Sequence, residues 1–169
     1  MQSKLTITIS EDIKYYTDEE AKRRINQSER CYHCDRLIKV YKYNFIRSMA
    51  TALAILYKYL KNNANTDQWI HLNKFFDKYP LTKVRHWEYL QYWGLIIPSP
   101  ERASDGNPSG LGEYKITKKA EEFLKCQTKI PKFCLHFHRR VIGYSDINIS
   151  IDEAYDSPFD FEKFMNGTE

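Results

Sequence analysis

Two stretches, "LQYWGLI" at residues 90–96 and "GEYKITKKAEEFL" at residues 112–124, decide the fold of this chain. The first ends a helix at Gly94, because glycine readily adopts the left-handed backbone conformation at a helix end, and then continues as a strand. The second begins as a returning strand, and its Thr117 is placed to cap a final helix. The intervening "ERASDGNPSGLG" is rich in Gly, Ser, Pro, Asn and Asp, which predicts a long loop.

The residues upstream predict three helices. A helix over "NFIRSMATALAILYKYLKN" (residues 44–62) has one apolar face, whose residues recur at three- and four-residue spacing: Phe45, Met49, Leu53, Leu56 and Leu60. "WIHLNKFFDKY" (residues 69–79) predicts a second, shorter helix that stops before Pro80. The third helix carries Val84, Trp87 and Leu90 on its inward side.

This order of three helices, strand, long loop, strand and helix is that of a winged helix-turn-helix, and residues 44–124 resemble bacterial winged-helix regulators in it. The resemblance implies an α+β fold with a winged helix-turn-helix domain over residues 44–125. Residues 1–43 are expected to hold a strand, a helix and a zinc knuckle. Residues 126–169 are expected to form a C-terminal extension with a β-hairpin, two short helices and an acidic tail. Ser150 is expected to cap the first of these helices. In a winged helix, the third helix lies in the major groove of DNA.

Cys31 and Cys34, in "SERCYHCDRLIKVYKY" (residues 28–43), have the spacing of a zinc knuckle. Two thiolates at this spacing reach one metal ion, and Asp35 tolerates the left-handed conformation that often follows them. A redox pair would need a helix start after a strand, whereas "DRLIKVYKY" predicts an extended segment. Two inert thiols are the remaining alternative. One structural zinc ion per chain is the preferred interpretation.

A structural zinc ion needs four ligands, so two more must come from elsewhere in the chain. Cys126 and Cys134 would complete an all-thiolate site with the knuckle. The alternatives are a ligand from another subunit or a histidine, His33, His136 or His138, with His71 interpreted instead as a hydrogen-bonded core residue. On a strand, Cys134 shares one face with His136 and His138, so that face is a plausible wall of a site.

Positive charge is concentrated in the body of the chain. Residues 1–145 contain 25 Lys and Arg against 15 Asp and Glu, whereas residues 146–169 contain Lys163 alone against seven acidic residues. A basic body with an acidic tail fits a polyanionic partner, with the tail either competing for the same surface or serving solubility alone. Double-stranded DNA is therefore the expected partner.

The residues expected to contact DNA are basic or aromatic side chains on the third helix, in the wing and after the domain: Lys83, Arg85, His86, Tyr89, Arg102, Arg139 and Arg140. Arg85 suits a bidentate contact to guanine, and Lys83 suits a phosphate. The presumed wing, however, carries Arg102 against three acidic residues, and phosphates repel a net negative loop. The alternative function is a protein-interaction module that binds and modulates or inhibits a host protein.

The run from "RCYHC" (residues 30–34) through "LQYWGLI" to "DINISIDEAYDSPFDFEKFM" (residues 146–165) resembles a group of uncharacterised small phage and prophage proteins. The likeness implies a viral origin, with a regulatory or DNA-metabolism role in the cytoplasm of a host cell. We expect no enzyme, since the chain has no glycine-rich phosphate loop and no nucleophile elbow. Neither a secretory signal nor a membrane-spanning segment is predicted. By analogy with winged-helix repressors, the residues before Cys31 are a candidate for homodimer contacts.

Overall fold

The computed structural model describes residues 29–30, 37–38, 40–63, 67–80, 84–100, 112–137 and 140–167. These residues form helices and small antiparallel sheets, so the α+β class expected from the sequence is confirmed. The chain forms two compact units. The first unit comprises the residues up to Phe45 together with Pro131–Asn148. The second unit comprises Ile46–Ile130 together with the residues from Ile149 onward.

The described strands, in chain order, are β1 (Glu29–Arg30), β2 (Leu37–Ile38), β3 (Tyr41–Asn44), β4 (Ile70–His71), β5 (Ile96–Pro98), β6 (Glu113–Ile116), β7 (Ile130–Pro131), β8 (Phe133–Phe137), β9 (Arg140–Tyr144) and β10 (Asn148–Ile149). The described α-helices are α1 (Arg47–Asn62), α2 (Leu72–Phe76), α3 (Lys118–Leu124), α4 (Ile151–Tyr155) and α5 (Phe161–Asn166). A 3-10 helix, Trp87–Trp93, precedes β5. Along these elements, no helix combines the length and apolar character needed to cross a lipid bilayer.

The first unit is built on antiparallel strand pairs. β1 pairs with β2, and the two strands flank residues 31–36, which lie outside the described residues. A second sheet has the order β3-β8-β9, with Tyr41 opposite His136 and Tyr43 opposite Cys134. The β-hairpin predicted after the final helix of the domain is thus confirmed as β8 and β9. The strand and helix expected within residues 1–27 also lie outside the described part of the chain.

α1 is the longest described helix and supplies much of the core of the second unit. Its apolar residues at the predicted spacing are all buried: Met49, Leu53, Leu56 and Leu60. Phe45, the remaining residue of that pattern, is buried as well but precedes the N-cap of the helix, Ile46. The predicted apolar face is therefore confirmed over the helix itself.

The second predicted helix is shorter than expected and starts later. Ile70 and His71 form β4, and α2 begins only at Leu72. Tertiary pairing explains the difference, because β4 pairs with β6 and places Ile70 opposite Tyr114. The Nδ1 atom of His71 then caps α2 by accepting a hydrogen bond from the backbone amide of Lys74 at 3.5 Å.

The third predicted helix is not a continuous α-helix. His86 has a left-handed backbone with φ of 64°, and the residues after it form the 3-10 helix. A left-handed residue interrupts a right-handed helix, and histidine is among the few non-glycine residues enriched in that conformation. Val84 and Leu90 are buried as predicted, whereas Trp87 is only half-buried. Gly94 ends the segment at φ of 66°, as predicted.

Three antiparallel strands in the order β4-β6-β5 form the sheet of the second unit. β5 and β6 are the strand and the returning strand that the sequence predicted. Thr117 caps α3 as expected, since its Oγ1 accepts a hydrogen bond from the Ala120 amide at 3.3 Å. The same hydroxyl donates to the Gly94 carbonyl oxygen at 2.8 Å, so the cap also joins α3 to the end of the 3-10 helix.

Two further short helices follow in the second unit. Ser150 caps α4 in a capping box with Glu153, which confirms the predicted cap. The Asp160 side chain caps α5 by accepting from the Lys163 amide at 2.9 Å. The ring of Phe161 packs against the ring of Tyr57 at 5.8 Å between centroids, so α5 is held against α1.

Candidate nucleic-acid interface and metal ligands

His86, Tyr89 and Tyr92 form a series of stacked rings along the 3-10 helix, which we call the ring ladder. The His86 and Tyr89 ring centroids lie 5.2 Å apart, with planes 10° from parallel. The Tyr89 and Tyr92 centroids lie 5.5 Å apart, with planes 16° from parallel. All three side chains are half-buried, so the ring ladder lies at the surface of the second unit.

The ring ladder follows from the backbone conformation of its segment. Within the 3-10 helix, which begins at Trp87, three residues per turn eclipse the side chains of Tyr89 and Tyr92. The rise of about 2.0 Å per residue advances three residues by about 6 Å, close to the separation of these two rings. His86 precedes the helix, and its left-handed backbone places its ring on Tyr89. In an α-helix, each step of three residues would instead rotate the side chains apart by about 60°.

Trp87 anchors the segment to the rest of the second unit. Its ring stacks on Phe76 of α2 at 5.5 Å between centroids and meets Tyr114 of β6 edge-on at 5.6 Å. Burial, and then the Glu88 carboxylate, raises the pKa of Tyr114, which stays a neutral phenol at physiological pH. Leu90 and Trp93, which share the side of Trp87 in a helix of three residues per turn, are buried, whereas Tyr89 and Tyr92 are half-buried.

An open cavity of about 770 Å³ adjoins the ring ladder. Within the described residues, its walls come from the start of α1 with its N-cap and from the turn that leads into the 3-10 helix: Ile46, Ser48, Val84, Arg85, His86, Trp87 and Glu88. The Ser48 hydroxyl donates to the Arg85 carbonyl oxygen at 3.1 Å, which fixes this turn against α1. The volume falls in the range of roughly 300–1,000 Å³ that is typical of small-ligand sites.

Three of the predicted DNA-contacting residues lie together in the second unit. Arg85 is exposed beside the cavity, and His86 and Tyr89 belong to the ring ladder. Arg140 begins β9 in the first unit. The predicted contacts that lie outside the described residues are Lys83, Arg102 and Arg139.

Sequence reasoning missed Tyr92 as a member of this site. The signal was present, because His86, Tyr89 and Tyr92 follow one another at three-residue intervals. An α-helical interpretation turns Tyr92 away from His86, since the rotation of about 60° accumulates over two steps. The 3-10 conformation aligns Tyr92 with Tyr89, on which the His86 ring stacks.

Cys134 and His136 lie two residues apart on β8, and both are buried. Residues at this spacing on a strand point to the same face. Burial raises the pKa of the Cys134 thiol to about 12. A thiolate at this position at neutral pH therefore requires a cation beside it, as a metal ligand would have.

Unlike Cys134, Cys126 is exposed and belongs to the second unit. Its backbone has φ of 57°. The Cys126 amide donates to the Phe123 carbonyl oxygen at 3.1 Å, and the Gln127 amide donates to the Glu122 carbonyl oxygen at 2.8 Å. This pair of bonds is a Schellman motif, in which glycine usually occupies the left-handed position. Cys126 thus terminates α3 at a site where a side chain is strained.

The remaining predicted ligands are the knuckle cysteines and two histidines outside the described residues: Cys31, Cys34, His33 and His138. Where the structure describes the chain, no three Cys, His, Asp or Glu side chains are grouped as a metal site. His71 makes the capping hydrogen bond described above, as expected, but it is half-buried and is not a core residue. The zinc ion stays a prediction.

Comparison with protein-family models, with curated proteins and with solved structures finds no match to this chain. Function must therefore be inferred from the residues and their geometry.

Proposed function

We propose that residues 44–125, most of which belong to the second unit, form a winged helix-turn-helix domain that binds double-stranded DNA. The observation that carries the proposal is the order of the elements combined with the order of the strands. α1, β4, α2, the 3-10 helix, β5, β6 and α3 follow one another, and the sheet has the order β4-β6-β5. This succession gives three helical segments followed by a strand pair, and the residues between β5 and β6 take the place of the wing.

In this proposal, the turn before the 3-10 helix and the helix itself face the DNA. Lys83 contacts a phosphate, and the exposed Arg85 reaches a guanine edge in the major groove. His86 lines the same cavity as Arg85, and Tyr89 stacks on His86. The excess of basic residues over residues 1–145 supplies the non-specific attraction, with Arg102, Arg139 and Arg140 as further phosphate contacts. The role is regulatory or in DNA metabolism of a phage within its host cell, with no catalytic step.

The proposal is tested by fluorescence anisotropy with a labelled duplex of about two helical turns at low salt. Wild-type protein should bind, and Arg85→Ala should weaken binding. Lys118→Ala is the matched control, because it removes the same charge from an exposed position on α3 rather than from the reading segment. Equal losses for both variants would mean that the reading segment has no special role.

A second function, docking on a host protein, is favoured by the edge of the sheet. β5 is an edge strand in the order β4-β6-β5, and it exposes Ile97. Exposed edge strands accept a strand from another chain, and a net negative wing next to it does not suit DNA. Affinity capture from host lysate should recover a stoichiometric partner that Ile97→Lys loses. Recovery of nucleic acid alone, from both forms, would contradict this function.

We also propose one structural zinc ion per chain, with Cys31, Cys34 and Cys134 as ligands. The donor set fits zinc, which prefers thiolates and imidazoles, and Cys134 lies buried on β8 two residues from the buried His136. The sequence makes Cys126 the fourth ligand, and β8 offers His136 on the same face as Cys134. When bound, the ion would contribute folding free energy by tying these segments together.

A further inference from the structure

We propose that the ring ladder and the cavity beside it form a binding site for an unpaired nucleobase, so that the preferred ligand is DNA with single-stranded nucleotides next to a duplex. The inference rests on the proposed function, because it assumes that the second unit binds a polynucleotide. It adds the class of ligand: the duplex docks through phosphates, and a base that has left the stack enters the cavity. A regular winged helix that reads only an intact groove needs no such site.

The ring ladder supplies the stacking surface. Nucleobases stack on aromatic rings without regard to sequence, because every base has a π face. His86, Tyr89 and Tyr92 already lie within 16° of parallel at each step, so they are preorganised and lose little freedom on binding. His86 begins the ladder and also lines the cavity. A base in the cavity would therefore add a further ring to the stack.

The chemistry of the cavity matches a nucleotide better than a simple anion. Arg85, which reaches a guanine edge in the proposed function, also gives this cavity a positive charge, whereas the Glu88 carboxylate at the same cavity can accept hydrogen bonds from an exocyclic amine. Val84 and Trp87 contribute apolar wall for the base itself. A mixture of one cation, one anion and apolar surface is suited to a base with its attached phosphate.

The backbone of the segment is shaped for this use. The left-handed His86 separates the turn that carries Arg85 from the 3-10 helix that carries the ladder. Non-glycine residues adopt this conformation at a cost of about 1 kcal/mol or more, and such strained positions cluster at functional sites. Ser48 holds the turn from α1 through the Arg85 carbonyl, so the cavity has one fixed wall.

The test compares the affinities of a blunt duplex and of the same duplex with a single-stranded overhang, by anisotropy at one salt concentration. Stacking of one base on aromatic side chains predicts that wild-type protein binds the overhang duplex about fivefold or more tightly. A 2-aminopurine placed in the overhang should lose fluorescence on binding, because stacking quenches it. The same measurement is made with 2-aminopurine in a ribonucleotide overhang. Equal quenching in both overhangs assigns the site to unpaired bases of either polynucleotide, whereas quenching in the DNA overhang alone restricts the site to DNA.

Two variants test whether the His86 ring itself, and not its left-handed backbone, is responsible for the difference in affinity. His86→Asn removes the ring but keeps a residue that tolerates the left-handed conformation, and it should bring the ratio of the two affinities close to one. Tyr59→Leu, which removes an exposed ring from α1 outside the ring ladder and the cavity, should keep the ratio. If wild-type protein binds both duplexes equally and leaves 2-aminopurine unquenched, this inference is overturned while duplex binding stands. If the protein binds neither duplex, both the proposed function and this inference are contradicted.

Discussion

The phenol of Tyr57 on α1 donates a hydrogen bond to Glu121 on α3, with 2.9 Å between Oη and Oε1. Tyr57 is buried at 1% exposure, and the same carboxylate oxygen accepts a bond from Lys125 Nζ at 2.6 Å. The bond links the helix that begins the second unit with the helix that follows its sheet. It should therefore contribute to the stability of the unit that carries the proposed DNA surface.

Replacing Tyr57 by phenylalanine tests that link. The ring can keep its packing, but Glu121 loses a donor, so we expect the free energy of unfolding to fall by about 1–2 kcal/mol. Urea unfolding followed by circular dichroism measures the change. Tyr59→Phe is the matched control, because the Tyr59 side chain is exposed on the same helix, and it should change stability by less than about 0.5 kcal/mol. Equal effects of the two variants would contradict a stabilising role for the bond.

The same pair predicts how stability depends on pH. Burial, and then the bond to Glu121, raises the pKa of Tyr57 to about 12, above its value in the unfolded chain of about 10. The folded state therefore holds this proton more tightly, and the contribution is complete below about pH 10 and lost as the pH rises toward 12. Unfolding measured from pH 8 to pH 11 should show this decline for wild-type protein and a smaller one for Tyr57→Phe. Identical alkaline profiles would contradict the assignment.

Glu121 should affect how the stability of the protein depends on pH under acidic conditions. Hydrogen bonds from Lys125 and then from Tyr57 lower the pKa of Glu121. A carboxylate with a lowered pKa contributes stability above its unfolded value, and that contribution disappears as the pH falls through its folded value. Glu121→Gln should therefore flatten the loss of stability below about pH 4.5. An unchanged acid profile in this variant would show that other carboxylates govern it.

The sequence predicted those elements whose signals are local. Thr117 and Ser150 cap the helices that follow them, and Gly94 ends its helix, because each depends on the chemistry of one residue and its neighbours. The buried face of α1 was also predicted correctly, because regularly spaced apolar residues indicate which face of a long helix is buried. These predictions needed no knowledge of distant contacts.

The elements that the sequence did not predict depend on distant partners. Ile70 and His71 have a helical pattern but form β4 because β6 pairs with them. β3 lies in a segment that was predicted to be extended, but its partner β8 is far along the chain, and no periodicity encodes that choice. The ring ladder was hidden for a related reason, since a short segment does not reveal whether its period is 3.0 or 3.6 residues. As a result, Tyr92 was missed although Tyr89 was not.

Cys126 gives a test that separates its two roles. If Cys126 only terminates α3, Cys126→Gly should raise the free energy of unfolding by up to about 1 kcal/mol, because glycine adopts positive φ without strain. Cys126→Ala removes the thiol but keeps the strain, so it should change stability little. Zinc content and urea unfolding are measured together for both variants. Loss of zinc and of stability in both would instead make Cys126 a ligand.

The zinc proposal predicts about one ion per chain by elemental analysis of protein purified without added metal. Cys31→Ser, Cys34→Ser and Cys134→Ser should each release it and lower stability, since bound zinc contributes to folding. His136→Ala should do the same if His136 is the fourth ligand and Cys126 is not. A chain that is metal-free and fully folded would contradict the proposal.

The salt dependence of duplex binding tests the central claim, that the second unit binds DNA through the segment around Arg85, most directly. For wild-type protein, the logarithm of the association constant should fall linearly with the logarithm of salt concentration, with a slope of about 0.9 for each phosphate contacted. The double variant Lys83→Ala, Arg85→Ala should bind more weakly, with a slope reduced by about 1 for each phosphate contact it loses. No binding at about 50 mM salt, or a double variant with wild-type affinity and slope, would contradict the account.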